Sequence, residues 1–290
     1  MTEAEKKRLL VLPVALALLA GLAWAGSQGG AAFGAIPLFA LCVALALAMQ
    51  WVAFVPAYLG RTERFFDLTG SLTYLTLTAV ALSLGPPPDT RSGLLAVLVV
   101  VWAARLGSFL FRRVVAQGSD RRFDEIKTSF LRFFVTWTLQ GVWVSFTMGA
   151  ALAAITSDRS VPLGPLGWAG LALWVGGFGM EVVADQQKAH FRSRPENEGR
   201  FIASGLWSWS RHPNYFGEIA LWTGVAVLAL PALAGWQYVT LLSPVFVAFL
   251  LIKVSGLPQL EGRADAKWGG DPEYEAYKAE TPVLVPRPPR

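Results

Sequence analysis

Within nine residues, Ser210-Arg-His-Pro-Asn-Tyr-Phe-Gly-Glu218 places a cation, an imidazole, an amide, a phenol and a carboxylate. Pro213 suits the first turn of a helix, since it has no N–H to leave unpaired there and its φ is already helical. The free N–H groups of the residues that follow then point out of the helix start, with Arg211 and His212 beside them. That is the chemistry of an anion site at a helix N-terminus. Arg211, Asn214 and Glu218 fall at i, i+3 and i+7, on one helical face. By helical rise Glu218 lies roughly 8 Å along that helix, where an acid without a partner would be costly.

A second group precedes it. Glu181, Asp185, Lys188 and Arg192 follow one another at steps of four, three and four, so they share a helical face. Such a stripe can be a solvated surface, but here it runs directly into the polar segment just described, which favours a ligand role. A third group is Asp67 with Ser71 and Tyr74, also on one face. Asp67 can equally be an acid favoured by the helix dipole. Arg105 and Lys253 lie near the ends of apolar runs, where either could bind a ligand or snorkel to the surface.

The elements that must position these groups are membrane helices. Of the 290 residues 54% are hydrophobic and 16% charged, against about 25% charged in soluble domains. Runs long enough to cross a bilayer, about 20 residues each, are predicted over Leu9–Ala25, Ala31–Leu59, Leu68–Leu84, Ser92–Phe111, Phe130–Thr156, Leu163–Ala184, Pro213–Leu230 and Trp236–Ile252. The expected fold is an all-α polytopic bundle of about eight helices, seven at the least, with a cofactor cavity facing the cytoplasm. Residues 1–59 form N-terminal spans and 60–290 a C-terminal membrane domain with a cytoplasmic tail. The glycines at 164, 167, 170, 176, 177 and 179 let helix backbones approach closely in lipid, and packing is their first reading.

Orientation follows from lysine and arginine. Lys6, Lys7 and Arg8 precede the first run. Residues 60–67, 112–129, 185–212 and the tail from 253 carry most of the remaining basic residues, including Arg121. The intervening loops hold Arg91 and Arg159. Eight spans with both termini in the cytoplasm fit this asymmetry. Trp207 and Trp209 read as an interfacial aromatic belt.

Several chemistries drop out. The net charge of +5 sits in short loops beside apolar runs, which suits anionic lipid heads rather than nucleic acid. Cys42 is the single cysteine and His190 and His212 the two histidines, so neither a disulfide nor a zinc site is expected. No Walker loop or dinucleotide-fold glycine motif is present.

Four segments together carry a family resemblance. They are Asp185-Gln-Gln-Lys-Ala-His-Phe-Arg192, the Ser210–Glu218 stretch, Ser255-Gly-Leu-Pro-Gln-Leu-Glu261 and Tyr274-Glu-Ala-Tyr-Lys-Ala-Glu-Thr-Pro-Val-Leu-Val-Pro286. The chain resembles the steroid 5α-reductase family, and within it a bacterial membrane branch, over roughly residues 60–286. The resemblance implies a bacterial inner-membrane reductase that binds NADPH from the cytoplasm. Its substrate would be an apolar small molecule from the bilayer with a carbon–carbon double bond conjugated to a carbonyl. Asp185, Arg192, Asn214 and Glu218 match the family's cofactor contacts. Arg211, His212 and Tyr215 belong to the same segments, Glu181 lies one helical turn before the first of them, Arg105 matches an arginine of an early helix, and Lys253 takes the place of a basic residue in the last one.

Asp67 falls where the family has a Gln-Glu pair that handles the substrate carbonyl, and the family's catalytic tyrosine position falls near Trp102. With that glutamine missing, the resemblance leaves Asp67 and Tyr74 as the catalytic candidates. An acid in an apolar pocket keeps its proton, so Asp67 could stabilise the charge that hydride transfer leaves on a carbonyl oxygen, or orient Tyr74. The steroid part of the family's name does not follow, because the N-terminal span has no counterpart there.

Two other functions compete. Arg-His-Pro-x-Tyr-x-Gly also resembles the isoprenylcysteine carboxyl methyltransferase group, which uses S-adenosylmethionine. That group's tail carries paired glutamates, whereas Glu261 stands alone. A channel or transporter would need polar groups across the midplane and an internal repeat, but the polar groups here collect at one leaflet.

Overall fold

In the computed structural model of the chain, residues 3–289 are described, with the side chains of 10–116, 118–120 and 122–289. The side chains of Lys6, Lys7, Arg8 and Arg121, which bear on the expected orientation, lie outside the described residues. The architecture is all-α, apart from one short hairpin. Six helical stretches are long and apolar enough to cross a membrane on length and composition: Leu38–Leu59, Thr90–Ala116, Phe130–Ile155, Gly164–Ser193, Pro213–Ala232 and Gly235–Trp268. The shorter apolar stretch Leu10–Gly26 within helix α1 (Glu3–Gly26) and helix α3 (Phe66–Leu84) occupy the two remaining predicted positions.

The chain divides into two compact units, residues 1–167 with 228–243 and residues 168–227 with 244–290. In the first, α1 and α2 (Leu38–Leu59) pack on α5 (Phe130–Ile155). In the first unit α5 is the central element, with 78% of its most apolar window buried. Around its start Phe54, Ala57, Phe123, Phe133 and Trp137 form an apolar cluster. Polar side chains join the helices where water is scarce, as expected in lipid. Gln50 Nε2 donates to Thr73 Oγ1 at 2.8 Å, and Gln140 Nε2 to the carbonyl of Phe66 at 2.9 Å.

Alternate loops of this unit meet at one end. Ala31 N donates to the carbonyl of Thr156, Ser160 Oγ to Asp89, and Arg159 to the carbonyl of Leu233. The loops after α1, α3, α5 and α7 (Pro213–Ala229) are therefore neighbours, as an up-and-down order of helices requires. Arg91, in the first turn of α4 (Thr90–Gln117), is 2% exposed. It donates to the carbonyls of Val161 at 3.2 Å and Leu163 at 2.9 Å, and also to those of Pro162 and Leu228. Read from sequence as a loop charge, it is instead a buried clamp on the 161–163 loop and the last turn of α7.

Two predicted runs begin differently. The second does not start as helix at Ala31, because Ala32–Phe33 (β1) and Ile36–Pro37 (β2) pair as a hairpin turning at Gly34, whose φ of +61° favours glycine. The last begins as tight 3-10 turns over Gly235–Leu242, continues as α8 (Ser243–Phe249) and widens to a π turn over Leu250–Val254.

In the second unit α6 (Gly164–Ser193) extends nine residues beyond the predicted end at Ala184, carrying Asp185, Lys188 and Arg192 as helix. Gly177 and Gly217 show why α6 and α7 lie so close. A Cβ on Gly177 would meet Leu221 N at 2.5 Å, and one on Gly217 would meet the carbonyl of Gly177 at 2.6 Å. Close packing is thus the role of Gly177, whereas Gly176 and Gly179 face open space.

Candidate cofactor site

Helix α7 begins at Pro213, the position that the missing N–H of proline prefers. The segment before it is held by its neighbours. Arg211 N donates to the carbonyl of Pro282 at 2.9 Å, and Ser210 Oγ to that of Leu284 at 2.9 Å. Arg287 N reaches the carbonyl of Trp209 at 2.9 Å. The C-terminal strap 281–287 thus fixes the backbone that presents Arg211 and His212.

Trp207 is 2% exposed, and its indole N–H donates to the carbonyl of Ala184 at 3.0 Å. It is an interior residue and not part of an interfacial belt, because the turn at Gly205–Ser208 folds it onto α6. Lys188 lies over its ring at 4.1 Å. Trp209 is exposed. Gln187 accepts from Leu206 N at 2.9 Å, a second tie between this turn and α6.

The helix stripe and the α7 start meet. Asn214 Nδ2 donates to Asp185 Oδ1 at 3.1 Å. Glu181, Asp185 and Glu218 are all buried. Gly217 lays the α7 backbone against that of Glu181, where a Cβ would come within 2.7 Å of Glu181 N. Arg192 is exposed at the end of α6, and Lys253 is exposed in the π turn. Tyr215 stacks on His212, with ring centroids 5.5 Å apart.

Glu261, in α9 (Leu257–Trp268), completes the site. Its Oε2 accepts from Arg211 Nη1 at 2.5 Å and its Oε1 lies 2.6 Å from His212 Nε2. His212 is 4% exposed. Burial holds its basicity below the ordinary imidazole range, against the opposing pull of Glu261. Two buried nitrogens of this trio have no partner, Arg211 Nε and His212 Nδ1. The sequence marks Glu261 as the end of a family-like segment and as a single glutamate where the methyltransferases have two, and nothing local indicates partners about fifty positions away.

The remaining candidates belong to the first unit. Asp67 Oδ2 lies 3.5 Å from an Arg122 nitrogen and 3.8 Å from one of Arg113. It is therefore flanked by two guanidinium groups and does not stand alone in an apolar pocket. Tyr74, on α3, meets Trp102, on α4, edge-on at 5.1 Å between centroids. Arg105 is half-buried, its guanidinium 5.1 Å from the centre of the Phe109 ring.

Beside this charge cluster Glu63 is 4% exposed and accepts from Lys127 Nζ at 2.8 Å and Asp120 N at 2.9 Å. Burial raises its pKa, but these two donors outweigh it and hold the acid below the usual carboxylate range. Among the described residues no group of three or more His, Cys, Asp and Glu converges as a metal cage.

No curated protein matches the chain, and no solved structure does. A family model does match, over residues 53–281, and is described as protein of unknown function (DUF1295). The matched stretch contains the candidate side chains from Asp67 to Glu261, and the strap contacts at Pro282, Leu284 and Arg287 lie just beyond it.

Proposed function

The chain belongs to the DUF1295 family, and on that premise we propose a membrane-embedded, NADPH-dependent reductase of conjugated carbon–carbon double bonds in apolar, lipid- or steroid-like substrates. The observation that carries the reading is the joining of two segments that resemble the 5α-reductase cofactor site, through the Asn214–Asp185 hydrogen bond. The residues fit a dinucleotide. Arg192 is an exposed cation at the end of α6, α7 opens its N–H groups at Pro213, and Arg211 Nε and His212 Nδ1 offer a buried donor and acceptor.

In this reading Arg192 and the α7 start bind phosphate, and Lys253 adds positive charge. Asp185 and Asn214 orient the ligand, and buried Glu181 and Glu218 shape the floor. The dihydronicotinamide supplies the hydride. Tyr74, seated beside Trp102, would donate to the substrate carbonyl, with Asp67 and its arginines setting the local charge. The helix order and the loop charges support a cell-membrane protein with both termini in the cytoplasm. Reporter fusions at Pro87 and Arg159 should then read as periplasmic and one at Asp124 as cytoplasmic.

One observation favours a second reading. The contact of Glu261 with Arg211 and His212 joins the Arg-His-Pro segment, by which the chain resembles membrane methyltransferases, to a tail glutamate, which is single here where that group carries a pair. Binding titrations of the purified protein with NADPH, NADH and S-adenosylmethionine decide between them. The reductase reading expects NADPH to bind, and Arg192→Ala and Asn214→Ala each to weaken it by about 1–3 kcal/mol. Micromolar binding of S-adenosylmethionine with none of NADPH would replace it.

A further inference from the structure

Glu261 faces two different donors with its two oxygens, Arg211 Nη1 at 2.5 Å and His212 Nε2 at 2.6 Å. The guanidinium keeps the carboxylate ionised, and an ionised carboxylate is an acceptor only. His212 must therefore carry its proton on Nε2. A lone pair there would face the carboxylate oxygen at hydrogen-bond distance. Burial disfavours the charged ring, and in the neutral ring Nδ1 is then a bare acceptor, buried with no partner. The other unpartnered nitrogen of the trio, Arg211 Nε, is a donor. Buried polar atoms without partners are costly, and this pair adjoins the residues assigned above to the cofactor.

We propose that Glu261 is a positioning residue, whose carboxylate locks His212 as the Nε2–H tautomer so that Nδ1 accepts a hydrogen bond from an N–H or O–H donor of the cofactor. The inference rests on the reading of this site as a cofactor site, and it adds the chemistry of the group recognised. That group is a neutral donor such as a primary amide or a ribose hydroxyl, and not a phosphate, which at neutral pH is an acceptor. Serving as its hydrogen-bond partner is then a distinct task from the phosphate binding assigned to Arg192. Strap residues Pro282 and Leu284 hold the Arg211 backbone and the Ser210 side chain, and His212 N donates to Ser210 Oγ at 3.1 Å. The carboxylate therefore has only side-chain rotation to restrain.

The chain has two histidines, which makes the test clean. In protein labelled with 15N-histidine, with His190→Gln for assignment, the ligand-free His212 ring should show a protonated Nε2 and a bare Nδ1 at neutral pH. Glu261→Gln should release it into a mixture of tautomers and weaken NADPH binding about tenfold, the scale of one oriented hydrogen bond. Saturating NADPH should move the Nδ1 resonance more than that of Nε2. A protonated Nδ1 in the free protein, or a tautomer ratio unchanged in Glu261→Gln, overturns the positioning role whatever the cofactor. If the tautomer is as expected but neither NADPH nor S-adenosylmethionine moves Nδ1, the acceptor role is overturned. A response to S-adenosylmethionine alone supports the role of Glu261 and removes the reductase reading.

Discussion

The ring of Tyr74 meets that of Trp102 at an interplanar angle of 87°, which joins α3 to α4 at the position where the resemblance to 5α-reductases implies a tyrosine. The Tyr74 phenol thus lies on α3, beside the Trp102 position of α4. An edge-to-face pair of this kind holds its rings in place.

If Tyr74 and Asp67 act on the substrate carbonyl, Tyr74→Phe and Asp67→Asn should bind NADPH normally and turn over about 10²-fold or more slowly, the range for general acid catalysis. The double variant should be little worse than either single one. Because Arg113 and Arg122 flank Asp67, a merely structural role would instead appear as a lower melting temperature with turnover intact. Unchanged turnover of Asp67→Asn on any accepted enone would falsify its catalytic role.

Arg91 should behave as a keystone of the end where loops gather. Its replacement by alanine leaves four carbonyls without their donor, at about 1–3 kcal/mol for each one left unsatisfied. Even with partial rehydration the loss should exceed about 3 kcal/mol, read as a drop in thermal stability in detergent. A variant as stable as the parent would show that the loops hold without the clamp.

Gly177→Ala places a methyl group against the α7 backbone, where Leu221 N leaves 2.5 Å. Backbone cannot give way as a flexible side chain can, so the helices must separate. The expected cost is about 1–3 kcal/mol and, on the proposed reading, weaker NADPH binding, because Asp185 and Asn214 sit on the two helices being pushed apart. Gly176→Ala, which meets nothing within 4 Å, is the matched control and should change neither.

The Glu63 pair gives a pH signature. The folded pKa of Glu63 lies below its ordinary value of 4.5, so its stabilising effect is full above that pH and fades as pH falls through the lowered value. The melting-temperature gap between the parent and Glu63→Gln should therefore be largest near neutrality and shrink below pH 4.5. A gap that stays constant into acid would place the effect in packing and not in the ion pair with Lys127.

What the sequence determined alone is whatever depends on neighbours within a few turns. Hydropathy over twenty residues set the helices, and the proline at 213 set the start of α7. The steps of four, three and four placed Glu181, Asp185, Lys188 and Arg192 along the one helix α6. The same local rule misplaced the start of the second run, since apolar composition does not distinguish a hairpin over 32–37 from a helix. Only the tertiary structure decided who pairs with whom. Arg91 found carbonyls 70 or more positions away, Asp67 found Arg113 and Arg122, and Glu261 found His212. A charge in apolar surroundings must be matched, so sequence marks each of these residues as needing a partner. Which partner it receives depends on how the chain closes its loops, and no local period records that.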